Sequence, residues 1–294
     1  NSGHWQQHCT ELCACLAIKL IVRDVSVQAR GDGLEQAARR ARYQVFEELV
    51  AEQDILLMAH HQDDQLETLL YRLVRGSGPK GLAGMPETRT LGRGRLLRPL
   101  LDIPRSALLS YAVANNLQWV EDESNQSPLF DRNFLRHELI PPLAARWPDY
   151  RQRLLRTVAQ CDNAAQTLRE VAVADLAQVG ERREKVGHSM AIDHFLTLSR
   201  HRQHNLLSEW LSLRGIGGGG HRVIAEVIDT LIPARRDGNP RVVLRGGEFR
   251  RFQGRLYLLP SQTEGPFPAQ IAISDSLPAA LPDGATLSPL ATQL

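Results

Sequence analysis

Lysine is almost missing from this chain: of 35 basic residues, only Lys19, Lys80 and Lys185 are not arginine. Genomic base composition explains that bias as well as function does. Cysteine is scarce too, and Cys9, Cys13, Cys15 and Cys161 form no C-x-x-C pair. That excludes a disulfide framework and a cysteine-ligated zinc finger, and the four are expected to be reduced thiols. No apolar run approaches the roughly 18–20 residues of a membrane span; Ile55-Leu-Leu-Met-Ala59 is only of strand length. The amino terminus lacks a basic-then-apolar signal segment, so the expected location is the cytoplasm, with no membrane partner. Neither G-x-x-x-x-G-K-[ST] nor H-E-x-x-H occurs, and the chain opens on Asn1 instead of methionine.

What is present is ordinary for a globular protein. The 294 residues are 43% hydrophobic and 23% charged, enough for two domains and part of a third. Net charge is only +2, but it is unevenly spread. Between Arg200 and Arg255 stand eleven arginines against five acids, whereas Ser261 to Leu294 holds three acids and no base. The arginine-rich segment suits a polyanion, or is simply a solvated surface.

Hydrophobic spacing predicts a helix over His4–Lys19, a strand over Leu20–Val25, a Gly31-Asp-Gly33 turn and an amphipathic helix from Leu34 to about Glu52. Asp54–His60 reads as a buried strand of a parallel sheet, followed by a helix from near Asp63 to Gly76. Leu96–Leu100 reads as another strand and Pro104 opens another helix. The alternation implies an α/β doubly wound domain over 1–142. Past Pro141-Pro142, long helical patterns at Tyr150–Ala177 and His194–Leu213 predict a mainly helical domain over 143–262. Strands at Arg241–Leu244, Glu248–Phe252 and Arg255–Leu259 close it, the last two forming a hairpin at Gln253-Gly254. Residues 263–294 read as a linker or the start of another domain.

The densest polar cluster is His60-His-Gln-Asp-Asp-Gln-Leu-Glu-Thr68, at the carboxyl end of a strand, where open α/β sheets bind ligands. Asp64 and Glu67 share a helical face, with Asp63 as the expected N-cap. Two carboxylates held ionised by the helix start attract an ammonium group or a metal. The alternatives are plain capping, or a zinc site from His60, His61 and Asp64. Arg75-Gly-Ser-Gly-Pro-Lys-Gly-Leu-Ala-Gly84 could bring its backbone to a phosphate, or be a C-capped turn. Arg132 and Arg136 lie four apart on the first turns of a helix, where the dipole disfavours cations, so they are expected to face an anion or to pair with Glu121, Asp122 or Asp131.

In order and spacing, these strings resemble those of the tRNA(Ile)-lysidine synthetases, a family of N-type PP-loop ATPases. The resemblance runs through Gly33-Leu-Glu-Gln-Ala-Ala-Arg-Arg-Ala-Arg-Tyr43, Ala59–Thr68, Arg75–Gly78, Gly81–Met85, Arg98–Leu101, Glu121–Asn125 and Arg132–Arg136. It implies an adenine nucleotide alpha hydrolase-like domain, incomplete at its amino end, that uses ATP and Mg2+. ATP would adenylate an anticodon cytidine of isoleucine tRNA, and free L-lysine would then displace AMP to give lysidine. By the same resemblance Asp64 and Glu67 bind lysine, and His60, Arg132 and Arg136 bind ATP. Asp64, Arg132 and Arg136 would serve catalysis, and Arg75, Arg200, Arg202, Arg250 and Arg251 would hold tRNA. No resident metal site is expected, and association into a homodimer is left open. The family's S-G-G-x-D-S loop is not among these residues. The chain is therefore expected to be a piece of a longer polypeptide, inactive without that loop. Competing readings are a non-catalytic tRNA-binding protein with a decayed ATPase domain, another PP-loop enzyme such as a tRNA thiolase, and a DNA regulator.

Overall fold

The computed structural model describes residues 2–27, 34–120, 130–217, 219–234 and 240–261, with the backbone of 279–280 and 286–287. The Gly31–Gly33 turn, the 121–125 acidic cluster and nearly all of the 263–294 segment lie outside the described residues. The chain divides into two compact units, 1–166 and 167–294.

In the first unit, helix α1 (Ser2–Cys15) precedes an irregular stretch. The strand expected at 20–25 is not formed: its apolar residues have no neighbouring backbone to pair with among the described residues, and Leu20, Ile21, Val22 and Val25 stay exposed. Helix α2 (Leu34–Leu49) is amphipathic as expected, and β1 (Ile55–Leu57) leads directly to α3 (Gln62–Val74). Leu66, Leu69 and Leu70, at helical spacing, turn the inner face of α3 into the core. A short α4 (Pro79–Leu82) follows, then the hairpin β2 (Thr88–Leu91) and β3 (Gly94–Leu97).

The sheet order is β1-β3-β2, with β1 parallel to β3 and β2 antiparallel to it. The parallel pair is the α/β element the sequence suggests. The expectation of a buried β1 fails, because β1 is an edge strand among the described residues, with Ile55 57% and Leu57 63% exposed. Helix α5 (Arg105–Ala114) starts after Pro104. A continuous helical run then comprises α6 (Asp131–Phe134), a π-helical turn (Leu135–Leu139) and α7 (Ile140–Arg146). Pro141 and Pro142 do not end it; the wider turn just before them accommodates the two missing N–H donors.

Helix α8 (Tyr150–Gln178) spans the point where the two units divide. The second unit adds β4 (Arg182–Arg183), β5 (His188–Ala191), α9 (Ile192–Leu196), α10 (Arg200–Leu213), α11 (His221–Glu226) with a π-helical turn (Val227–Leu231), and β6 (Arg241–Leu244), β7 (Gly247–Phe252) and β8 (Arg255–Pro260). The helix read as one from His194 to Leu213 is two, broken at 197–199. The β part is larger than a hairpin: an antiparallel sheet of order β4-β5-β8-β7-β6. Its turn at Gln253-Gly254 has both residues at positive φ, 42° and 74°, as a tight two-residue hairpin requires. Trp210, Phe195, Phe249, Met190 and Leu256 are fully buried between this sheet and the helices.

Candidate active site

Helix α3 begins where the β1 chain leaves the sheet, so its first turn carries the cluster His60–Glu67 at one end of the strands. His61, not Asp63, is the N-cap: its backbone N–H donates to Asp64 Oδ2 at 2.9 Å, the third helical residue reaching back to the cap. Asp63 is instead held from outside the helix, accepting the Arg105 backbone N–H at 2.9 Å and pairing with Arg151 at 2.5 Å. Burial works to raise the Asp63 pKa, but these donors bring it below the ordinary carboxylate value.

Glu67 is 1% exposed. Its Oε1 accepts from Arg136 Nε at 2.7 Å, while Oε2 is buried with no hydrogen-bond partner among the described residues. Burial dominates and raises the Glu67 pKa despite the Arg136 guanidinium. Arg136 thus faces a carboxylate 69 residues away, and not the nearby acids considered from the sequence.

Asp64, Glu67, Arg132 and Arg136 all line one cavity of about 910 Å³. Arg39 and Arg42 of α2 and Arg23 complete its charged wall, while Ile21, Val25, Val45, Phe46 and Leu49 supply an apolar one. Five arginines against two acids leave an excess of positive charge. Burial, then the neighbouring Arg132, Arg42 and Arg98, push the Arg39 pKa below the usual arginine value even though Tyr43 opposes this. Such crowding of guanidinium groups is relieved by an anion. The cavity therefore offers a cationic wall for an anion, a carboxylate pair for an ammonium group, and an apolar surface broad enough for a flat base.

The remaining sequence-predicted residues are placed as follows. His60 is half-buried and does not line the cavity, although the charges of Asp64, Arg39 and Arg132 all reach it. Burial first, then Arg98, Arg39 and Arg132, push its pKa down to about 4, so the ring is neutral near pH 7; its Nδ1 is buried with no hydrogen-bond partner among the described residues. Arg75 caps the far end of α3, stacked on Tyr71 and hydrogen-bonded to its hydroxyl. The glycine-rich turn beyond it is anchored inward. Arg72 donates to the Gly81 and Gly84 carbonyls, and the buried Gln65 amide clasps both the N–H and the C=O of Met85. In the second unit Arg200 pairs with Asp229 at 2.5 Å, Arg202 with the fully buried Asp175, and Arg250 with Glu248 at 2.6 Å, while Arg251 donates to the Ala234 carbonyl. Among the described residues no group of three or more His, Cys, Asp or Glu could hold a metal, so the zinc alternative has no site; all four cysteines are free.

Sequence reasoning did not single out Arg39, Arg42 or Gln65. The signal available was the run Arg39-Arg-Ala-Arg42 on an amphipathic helix, whose orientation only the fold supplies.

Comparison with known proteins gives this geometry its context. Residues 1–143 match the model of a PP-loop domain, and residues 190–257 match that of the TilS substrate binding domain. The tRNA(Ile)-lysidine synthase of Alkalilimnicola ehrlichii is 42% identical over 265 residues, 90% of this chain and 58% of the relative. That of Serratia proteamaculans is 39% identical over 285 residues, 96% and 64%. That of Pseudomonas aeruginosa is 42% identical over 273 residues, 90% and 61%. The chain spans 58–64% of the length of these relatives. The chain thus matches a PP-loop domain ahead of a TilS substrate binding domain, and its similarity to the tRNA(Ile)-lysidine synthases runs through both.

Proposed function

We propose that the protein ligates lysine to C2 of a cytidine in the anticodon of an isoleucine tRNA, and that the described cavity is where lysine meets the activated base. One observation carries this: a buried carboxylate oxygen without a partner, Glu67 Oε2, opening with Asp64 onto a cavity otherwise walled by arginine. A site for an anion alone would gain nothing from two acids, and one for a cation alone would gain nothing from five arginines.

The chemistry follows in two balanced steps. The C2 carbonyl oxygen of the cytidine attacks the α-phosphorus of ATP and pyrophosphate leaves. The amine of lysine then attacks C2, loses a proton, and AMP departs with the former carbonyl oxygen. Arg132 and Arg136, with Arg39 and Arg42, would stabilise negative charge on the phosphates as bonds exchange. Asp64 and Glu67 would hold the lysine as an ammonium ion, and Asp64 would accept the proton that frees the amine for attack. The neutral imidazole of His60 can contact the nucleotide without adding charge. Mg2+ would arrive with the triphosphate, using its oxygens and at most one or two carboxylates of the protein.

Arg200, Arg202, Arg250 and Arg251, bound to their own neighbours, would act on tRNA through the positive field and the free N–H groups of their forks; Arg75, exposed at the end of α3, adds to the same field. Such an enzyme works in the cytoplasm, with its substrates.

The test is incubation of the full-length protein with ATP, labelled lysine and isoleucine tRNA transcript. Label in the tRNA, dependent on ATP and accompanied by AMP and pyrophosphate, is the expected result. Binding of the tRNA without incorporation would replace this reading by the non-catalytic one.

A further inference from the structure

The outward face of the five-stranded sheet has no part in the cavity. Strand register places Arg182, Ser189, Tyr257, Arg250 and Arg241 in one row across all five strands. At the usual strand spacing of about 4.8 Å, that row is roughly 19 Å long. The adjoining row pairs Arg255 with Phe252. Alternation sends the residues between them inward, where Phe249, Leu256 and Leu258 form the core.

Phe252 is 59% exposed although it is an aromatic residue on a well-paired strand, and its ring centroid lies 6.5 Å from that of Tyr257. Arginines surround the two rings. Arg250 and Arg255 are tied to Glu248 and to Ser189, whereas Arg182 and Arg241, at the two edges of the row, are exposed and make no hydrogen bond or ion pair among the described residues. Two acids lie against these rows: Glu248, paired with Arg250, and Glu184, which accepts from the hydroxyl of the buried Ser189. The face thus combines an exposed aromatic ring, Phe252, and a half-buried one, Tyr257, with guanidinium groups on both flanks. Neighbouring nucleotides whose bases are unstacked fit that arrangement: rings take the bases and arginines take the phosphates.

We propose that this sheet face is a binding platform for unpaired nucleotides of the RNA substrate, with Phe252 and Tyr257 stacking bases and Arg182 and Arg241 contacting flanking phosphates. It rests on the reading above that the substrate is an RNA. A duplex, whose bases are stacked on one another, would leave the rings unused, and a protein partner would have no need of four arginines around them.

The experiment measures binding by fluorescence anisotropy, with two probes: a labelled isoleucine tRNA hairpin with its unpaired loop, and a blunt RNA duplex with the same stem. The proteins are the full-length chain and its variants Phe252→Ala, Phe252→Trp, Tyr257→Leu and Arg182→Gln/Arg241→Gln. Phe252→Ala and Tyr257→Leu are each expected to weaken hairpin binding tenfold or more and to leave duplex binding unchanged. Phe252→Trp, which keeps a stacking face, should bind the hairpin as the parent does. The double arginine variant should flatten the dependence of log Kd on log salt by about 0.7 per arginine. Hairpin binding equal in parent and aromatic variants overturns the platform and leaves the substrate reading standing. Equal weakening toward both probes overturns stacking. A parent protein that binds neither hairpin nor whole tRNA overturns the platform and the substrate reading together. Circular dichroism of each variant identifies any that fails to fold, and Phe252→Trp then decides alone: it must bind the hairpin at least as tightly as the parent, and weaker binding overturns the proposal.

Discussion

Glu67 sits almost wholly out of water with one oxygen on Arg136 and the other without a partner among the described residues, and a site like that has a definite cost and a definite use. Burial favours its neutral form and Arg136 opposes this; an arriving ammonium group would favour the charged form further and gain a charge-assisted hydrogen bond of about 1.5–3 kcal/mol. Glu67→Gln keeps the shape and removes the charge; it is expected to raise the KM for lysine by about 10- to 100-fold while shifting the KM for ATP little. Asp64→Asn should act in the same direction, since Asp64 faces the same cavity. Lysine titrations at saturating ATP and tRNA check both, and unchanged lysine kinetics in the two variants would remove the assignment. His60 makes a separate prediction. Its folded pKa near 4 lies below its ordinary 6.5, so the unfolded chain takes up a proton that the folded chain refuses. Its contribution to stability is whole above about pH 6.5 and is lost as pH falls through about 4. Thermal melts across that interval should therefore show a smaller loss of Tm on acidification in His60→Asn than in the parent, and parallel curves would show that His60 is not buried neutral.

Helix α3 works as an element because its two ends are fastened differently. Asp64 closes the first turn on His61, while Gln65 and Arg72 fasten the chain that follows the helix back onto its side. Gly84 is part of that clasp: it has φ of 71°, and a Cβ there would lie 2.5 Å from Gln65 Oε1, so no larger residue fits without displacing the amide. Gln65→Ala leaves the Met85 N–H and C=O without partners and should cost about 2–3 kcal/mol in urea unfolding. Gln65→Glu, which can satisfy the N–H but sets a carboxylate against the carbonyl, should also destabilise the protein at neutral pH and less so in acid. A loss under about 0.5 kcal/mol in Gln65→Ala would mean that water replaces the clasp.

How far the sequence makes such elements legible follows from the same physics. The β1–α3 segment is readable because a short apolar run meets a polar helix start within ten residues, and α2 and α8 are readable from apolar spacing alone, whereas the break between α9 and α10 is not. The strands β2, β4 and β5 are not, since Thr88-Arg-Thr-Leu and Arg182-Arg183 have no alternation to distinguish them from loop. Leu20–Val25 errs the other way, with apolar residues that suit a strand but no backbone beside them to pair with among the described residues. Of the site, the carboxylates are visible in one string, whereas the Glu67–Arg136 pair joins positions too distant for spacing to reveal.

At the scale of the whole molecule the apolar residues are unequally invested in the two units. The largest cluster of buried residues, from Ala172 to Leu258, lies entirely in the second unit, with Trp210, Phe195 and Phe249 fully enclosed. The first unit has a small cluster of Val50, Leu91 and Leu96 beneath its sheet and leaves Leu16, Ile18, Ile55, Leu57 and Val113 more than half exposed or nearly so. Since stability follows apolar area removed from water, the second unit should unfold at higher denaturant than the first. The tryptophans separate the two events. Trp210 is fully buried in the second unit, while in the first Trp119 and Trp147 are about half exposed and Trp5 is only partly buried, so the largest red shift of emission on unfolding reports the second unit. In urea, far-ultraviolet circular dichroism should begin to fall before tryptophan emission moves, giving two displaced curves. Coincident curves would show a single cooperative transition, and the unequal burial would then have no consequence for how the chain comes apart. Lysine with a non-hydrolysable ATP analogue provides the control: under the proposed function both would bind residues of the first unit, so they should move the early transition to higher urea and leave the tryptophan transition where it was.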